Sequence, residues 1–416
     1  MTTHGALARR LGLGDAVVLG LGSMIGAGIF SVFAPAAAAA GTWLLVGLGV
    51  AAIVAFCNAT SSAQLAAAYP SSGGTYLYGR EQLGPWWGFA AGWSFVIGKT
   101  ASCAAMALTF ASYAAPPGWS NPFAIAAVLA LAAVNYFGVT RTAQLARVIV
   151  VLVLAVLAVV VAAGASGFDP ASFAGGTEGS VYGVLQSAGL LFFAFAGYAR
   201  IATMGEEVRS PERTIPRAIT ISLTVVVVLY AVVGAVSLGA LGPAALAGSS
   251  APLRDVTAAA GWAWAVPIVQ FGGALASLGA LLALVAGVGR TALAMARERD
   301  LPRFLSAVHP RWSVPHRAEI ALALVVVALV ATVDVRSAIG FSSFGVLLYY
   351  FVANLAAVTQ GAGRRRYPRA VQVLGMLGCA VLVVTLPPAS VVVGVLVLAV
   401  GFGARGIRLL VDRARH

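Results

Sequence analysis

Charge is what this chain most lacks. Only 9% of its 416 residues are Asp, Glu, Lys or Arg, against 60% hydrophobic residues, whereas a typical soluble domain carries about 25% charged residues. That balance excludes a water-exposed globular protein of this size, and the chain reads as an all-α integral membrane protein. Cysteine is scarce as well. Cys57, Cys103 and Cys379 fall inside apolar runs, which excludes a disulfide framework and leaves them as small packing residues. His309 and His316 share one loop, and two loop histidines do not make a metal site. The apolar runs hold no paired acids, no Ser/His/Asp set and no metal cluster, so neither an enzyme nor a cofactor is expected.

What is present is hydrophobic length. Crossing about 30 Å of hydrocarbon takes about 20 helical residues, and the runs that qualify number about twelve: 13–36, 42–68, 84–114, 122–139, 143–164, 181–204, 216–241, 265–296, 317–333, 335–359, 369–386 and 389–410. A net charge of +13 would suit a nucleic-acid partner, but its placement argues otherwise. Counted from an inside start, Arg9, Arg10, Arg80, Arg141, Arg147, Arg209, Arg213, Arg217, the 290–317 group, the Arg364–Arg369 cluster and the tail arginines share one side, leaving Arg254 and Arg336 on the other. That is the positive-inside bias. It predicts cytoplasmic termini in a multi-pass protein of the cytoplasmic membrane, with anionic lipid as the contact of the excess charge and no nucleic-acid partner. Arg9-Arg10, an apolar stretch and Ala34-Pro35-Ala36 imitate a signal peptide. The stretch is long and glycine-broken, and the charge count works only if it is retained, so it is read as the first span.

Two stretches carry the functional reading. Gly22-Ser23-Met24-Ile25-Gly26-Ala27-Gly28-Ile29-Phe30 places three glycines in span 1, each weakening a helix by roughly 1 kcal/mol relative to alanine. Either the backbone opens there, which lipid tolerates only against protein, water or a ligand, or Gly22 and Gly26 serve close helix packing as a GxxxG pair. In span 6, Leu191-Phe192-Phe193-Ala194-Phe195-Ala196-Gly197-Tyr198-Ala199-Arg200 interrupts an aromatic run with small residues, a glycine and a charge. Five spans separate the two interruptions. Matched breaks in two five-span halves point to the binding site of an inverted-repeat transporter, where bare amides take a carboxylate and bare carbonyls an ammonium. That chemistry suits an amino acid.

Span 3 opens on Pro85-Trp86-Trp87 and carries Lys99 near the bilayer centre, with Phe95 and Ser102 on the same face. A lysine there costs roughly 2.5–3.5 kcal/mol unless it faces a polar interior. It is a functional candidate, or a pin for the carbonyls of a neighbouring broken helix, or both. The run 148–161 reads as lipid-facing or scaffold helix, and the Gly/Ser-rich 165–180 with Asp169 and Glu178 as an outer loop. Tyr69-Pro70-Ser71-Ser72-Gly73-Gly74-Thr75-Tyr76 reads as a short ordered connection. In Gly205–Arg217, both charge signs surround Pro211 and Pro216, giving Arg200 a glutamate to pair with unless it caps the lower half-helix. Residues 290–315 form a basic loop that suits an amphipathic piece along the inner leaflet.

Four of these segments, Gly22–Phe30, Tyr69–Tyr76, Gly205–Arg217 and Arg290–Pro302 followed by His309-Pro310-Arg311, resemble the amino acid, polyamine and organocation permease family. The nearest branch is that of the amino acid permeases and cationic amino acid transporters, and the likeness runs over roughly residues 10–400. It implies a five-plus-five inverted-repeat core with discontinuous helices 1 and 6, two additional C-terminal spans, alternating access, and backbone recognition of an amino acid at the breaks. The expected organisation is an N-terminus over 1–12, a first repeat over 13–164, the outer loop 165–180, a second repeat over 181–359, the additional spans over 360–410 and a tail over 411–416. By the resemblance, Ser23, Ile25, Gly26, Ala27 and Gly28 line one half of the site. Phe193, Phe195, Ala196 and Gly197 line the other, with Phe193 where relatives place an aromatic gate. Lys99 matches a span-3 position near the pocket. Two departures stand out: Ala199 where relatives often have Glu, and no lysine in span 5 where proton-linked relatives often keep one.

Coupling therefore stays open between proton linkage and exchange. Lys99, with Ser277 of span 8 and Arg200, forms the candidate coupling and gating set. No Asp or Glu lies in the middle of a span, so a cationic side chain would lack a countercharge and a neutral amino acid is expected. A transporter of amines or other organic solutes is the near alternative, and a non-transporting ligand sensor the alternative of another class.

Overall fold

A computed structural model of the chain describes residues 11–69, 74–138, 143–173, 179–202, 204, 207–361, 363 and 365–414. The Pro70–Gly73 turn, residues 139–142, Glu178 in the 174–178 stretch, and Gly205 and Glu206 of the predicted functional segments lie outside the described residues.

Span 1 is built of three pieces, α1 (Leu13–Met24), α2 (Ala27–Ser31) and α3 (Phe33–Ala40). It ends at Gly41, whose φ of 55° reverses the chain. The following helices are α4 (Leu44–Ala68), α5 (Gly74–Leu83), α6 (Pro85–Ala114), α7 (Ser120–Tyr136), α8 (Ala143–Ser166), α9 (Val181–Phe195) and α10 (Ala199–Ala202). Then come α11 (Pro211–Gly248), α12 (Pro252–Ala259), α13 (Val266–Arg297), α14 (His316–Thr332), α15 (Val335–Val358), α16 (Arg369–Thr385) and α17 (Pro388–Ala414). No strand occurs among the described residues, whose one extended pairing is the isolated bridge from Leu11 to Val208. Among the described residues, nine helical stretches are long and apolar enough to cross a membrane, and Ser120–Tyr136 and Arg369–Thr385 are shorter apolar helices. With α14, every expected span has its helix.

The boundaries shift where local chemistry overrides the apolar pattern. Span 7 begins at Pro211, an N-terminal turn proline that needs no amide partner. It continues past its expected end to Gly248 through a bend at Gly242, where φ is 69°. The connection read over Tyr69–Tyr76 gives way at Gly74 to helix α5, which fills the rest of the stretch before span 3, and the stretch between spans 7 and 8 contains the short α12. Instead of an amphipathic piece in the 290–315 loop, α13 runs on to Arg297 and only a single turn, Arg303–Ser306, follows.

Apolar side chains cover the outside of the bundle as well as its core. Val151, Val384 and Val400 are 65%, 66% and 69% exposed, a surface suited to hydrocarbon. The 148–161 run exposes Val148, Val151 and Leu152 while burying Val150, Val153, Leu157 and Val160, so it is both lipid-facing and scaffold. All three cysteines are free and buried.

The arginine-bearing loops gather at one end. Leu11 exchanges backbone hydrogen bonds with Glu207 and Arg209 at 3.1 and 2.9 Å, and Arg366 donates to the Glu212 carbonyl at 2.6 Å. Arg80 pairs with Glu298 at 2.9 Å, and Asp300 beside it holds Arg405 near the end of α17.

Candidate functional site

Span 1 breaks at Ile25 and Gly26. The Ile25 amide closes α1 on the Leu21 carbonyl at 2.7 Å. Ile25 then leaves the helical region at φ −82°, ψ 58°, and Gly26 is extended at φ −111°, ψ −142° before Ala27 restarts the helix. Span 6 is interrupted differently. After Phe195 the helix tightens into a single 3₁₀ turn, Ala196–Tyr198, and resumes at Ala199. The expected open stretch is here a tightened turn, which frees carbonyls without unwinding the chain.

The two breaks touch through backbone. A methyl at Gly197 would run into the Ser23 carbonyl and come within 2.7 Å of the Met24 nitrogen. One at Gly28 would lie 2.8 Å from Ala194 Cα. Gly26 faces α13, where its added methyl would meet Ala280 at 2.8 Å. Glycine is needed at these positions for close approach. Ile25, Ala27, Phe193, Phe195 and Ala196 are all buried.

Three tyrosines and a lysine serve the carbonyls at the breaks. The Tyr230 hydroxyl of α11 lies 2.7 Å from the Met24 carbonyl and 3.1 Å from that of Ala194. Its single hydrogen is shared between the two broken spans. Tyr113 donates to the Phe30 carbonyl at 2.9 Å. Tyr350 and Lys99, the chain's single lysine, both reach the Ala196 carbonyl at 3.4 Å. Lys99 is thus a pin on the broken helix, at the depth that marked it as a functional candidate. Tyr113, Tyr230 and Tyr350 were not singled out from sequence. The available signal was a lone hydroxyl in a wholly apolar run, as at Val225–Val233 around Tyr230.

The remaining expected residues are placed as follows. Ser23 donates to the Leu19 carbonyl at 2.8 Å. Phe195 lies against Tyr230, with ring centroids 5.1 Å apart. Phe95 contacts Tyr349, and Ser102 bonds Ser342 at 2.6 Å, so the face they share with Lys99 packs on α15. Ser277 is wholly buried on α13, next to Ala276 and close to Ala280 in sequence, and its hydroxyl has no hydrogen-bond partner among the described residues. Arg200 follows the 3₁₀ turn by two residues, on α10, with an exposed side chain 3.8 Å from Glu207. Groups of three or more His, Cys, Asp or Glu able to hold a metal are absent among the described residues.

With this geometry in place, comparison with known proteins adds the lineage. The family described as Amino acid permease matches residues 11–406. An uncharacterized transporter of Mycobacterium tuberculosis is 58% identical over 409 residues, covering 98% of this chain and 93% of its own. The branched-chain amino acid permease of Bacillus subtilis is 26% identical over 89% of this chain and 85% of its own. Cationic amino acid transporter 4 of Homo sapiens is 29% identical over 85% of this chain and 60% of its own.

Proposed function

This chain belongs to the amino acid permease family, whose members are membrane transporters rather than enzymes, and from that premise we propose a secondary active transporter of neutral amino acids working by alternating access. The observation that carries the reading is the contact of the two interrupted spans, Gly197 on Ser23 and Gly28 on Ala194. Around it, main-chain groups are freed from their helices at membrane depth. Ser23, Ile25, Gly26, Ala27 and Gly28 would receive the substrate from one side and Phe193, Phe195, Ala196 and Gly197 from the other. Because all of these residues except the half-buried Ser23 and Gly197 are buried, we take substrate to reach the breaks when neighbouring elements move, as alternating access requires.

Relatives carry names pointing both to branched-chain and to cationic substrates. The distribution of acids favours the neutral class. Among the described residues, the buried carboxylates are Asp300 and Glu319. The first is engaged with Arg405, and the second lies in the first turn of α14, against Gly289 in the last part of α13. Neither stands at the breaks, so a cationic side chain there would be uncompensated.

For coupling, Lys99 is the basic side chain that reaches a carbonyl at a break, and it is proposed to carry the proton. The proposed halves, 13–164 and 181–359, follow from the positions of the two breaks, and cytoplasmic termini follow from the arginine-rich end. The test is uptake into proteoliposomes containing the purified chain. Labelled leucine is expected to accumulate under an inward proton gradient, and unlabelled neutral amino acids to compete where arginine does not. Competition by arginine equal to that by leucine would overturn the neutral assignment. Binding without counterflow would make the protein a sensor.

A further inference from the structure

At the arginine-rich end, α6, the loop after α13, and α17 enclose a cavity of about 690 Å³, within the range of about 300–1,000 Å³ that small-molecule sites occupy. Phe89 and Val400 supply apolar wall, and Arg299, Arg303, Arg405 and Arg408 supply charge. Asp300 and Asp412 answer only part of that charge. Asp300 is already engaged, accepting from Tyr76 at 2.8 Å and from Arg405.

Arg405 is held in place, and the cluster still has donors to spare. Arg405 is 6% exposed and its guanidinium lies over the Trp86 and Phe89 rings at 4.9 and 4.8 Å, which fixes its plane. The Nε groups of Arg405 and Arg408 are buried without a hydrogen-bond partner among the described residues. A buried guanidinium N–H left unmade is costly, and an anion in the cavity removes that cost. The cavity also opens toward lipid: Val400 lines it and is 69% exposed, with Ile407 and Leu410 continuing the exposed apolar face of α17 at 65% and 66%.

We propose that this cavity binds the phosphate headgroup of an anionic phospholipid, with Arg303 and Arg408 taking the phosphate and an acyl chain lying along Val400. Basic pockets between membrane helices have this chemistry in general. The site is separate from the breaks of spans 1 and 6 and does not depend on the substrate assigned to them.

Native mass spectrometry of the full-length chain, supplied with phosphatidylglycerol or phosphatidylcholine, tests the proposal. The wild type is expected to retain phosphatidylglycerol preferentially. Arg303→Gln combined with Arg408→Gln should lower that retention by roughly 30-fold, about fivefold per arginine, with only a small loss of lipid-free melting temperature from the Arg408 charge that stands 3.7 Å from Asp300. Val400→Trp fills the membrane side of the cavity without touching a charge and should also lower retention, so it carries the test if the double variant does not fold. Equal retention of the two lipids by the wild type would overturn the proposal, as would undiminished phosphatidylglycerol retention in the variants. Inorganic phosphate alone raising the melting temperature as much as phosphatidylglycerol does would assign the cavity to a soluble anion and overturn the lipid reading.

Discussion

At the scale of single residues, the breaks rest on absent side chains. Gly197→Ala forces a methyl against the Ser23 carbonyl and Met24 nitrogen, and Gly28→Ala forces one against Ala194 Cα. Main chain is what stands in the way, so neither clash is relieved by a rotamer change. Each is expected to cost about 1–3 kcal/mol as overpacking and to reduce leucine uptake by at least tenfold. Gly49→Ala is the control, since its added methyl meets nothing within 4 Å; it should melt at or slightly above the wild-type temperature. Lys99 separates stability from function in another way. Lys99→Met loses one long bond to the Ala196 carbonyl but also removes a charge from a buried site, and such terms nearly cancel. The expected result is a melting temperature within a few degrees of wild type, intact leucine counterflow and loss of pH-driven accumulation; unchanged accumulation would remove Lys99 from coupling. The glycines and Lys99 were legible in sequence because glycine and charge are anomalous in a span. Their contacts were not, because no periodicity states which carbonyl lies across the bundle.

At the scale of elements, polar side chains hold together what lipid does not. Hydrophobic burial drives little helix association once helices are inserted, so small residues and interhelical hydrogen bonds set the packing. The Tyr230 hydroxyl ties both halves of the broken pair to α11. On the far side of span 6, Asn354 of α15 meets Ser61 and Asn58 of α4, each at 2.6 Å. Tyr230→Phe keeps the ring against Phe195 and removes only the hydroxyl. It should lower stability by about 0.5–1.5 kcal/mol, with a fall in uptake out of proportion to that loss. Asn354→Leu breaks two interhelical bonds and should cost about 0.6 kcal/mol for each, visible as a lower melting temperature in detergent with substrate affinity kept. A larger effect of Asn354→Leu on affinity than on melting would contradict this division of labour. The long helices were legible because a span must be apolar for about 20 residues. Helices α5 and α12 were not, being short and rich in polar residues. They form because tertiary contacts hold them: Tyr78 and Leu253 are wholly buried, and Tyr76 reaches Asp300.

For the whole molecule, the arginine asymmetry read from sequence corresponds to a built structure at one end of the bundle. Asp300 is its centre, with a side chain 1% exposed. Arg405 binds it directly, Arg80 and Arg408 stand 3.6 and 3.7 Å away, and Tyr76 donates a hydrogen bond at 2.8 Å. Burial, reinforced by the neighbouring Asp300 charge, pushes the Tyr76 phenol above its ordinary range, so it remains a neutral donor as pH rises through 10. One carboxylate therefore ties α5, the loop after α13 and α17 to one another. These are connections between spans that sequence order alone leaves apart. Removing the carboxylate strands Arg405 inside the protein, and breaking one side of a buried ion pair costs about 3–5 kcal/mol. Asp300→Asn should accordingly cause a large drop in melting temperature, whereas Tyr76→Phe, which deletes one neutral donor, should cost about 1 kcal/mol. Both substitutions lie far along the chain from the breaks, so the protein that remains folded should keep wild-type affinity for leucine. A change in affinity with little loss of stability would show instead that this end of the bundle communicates with the breaks, and that the arginine cluster takes part in the transport cycle.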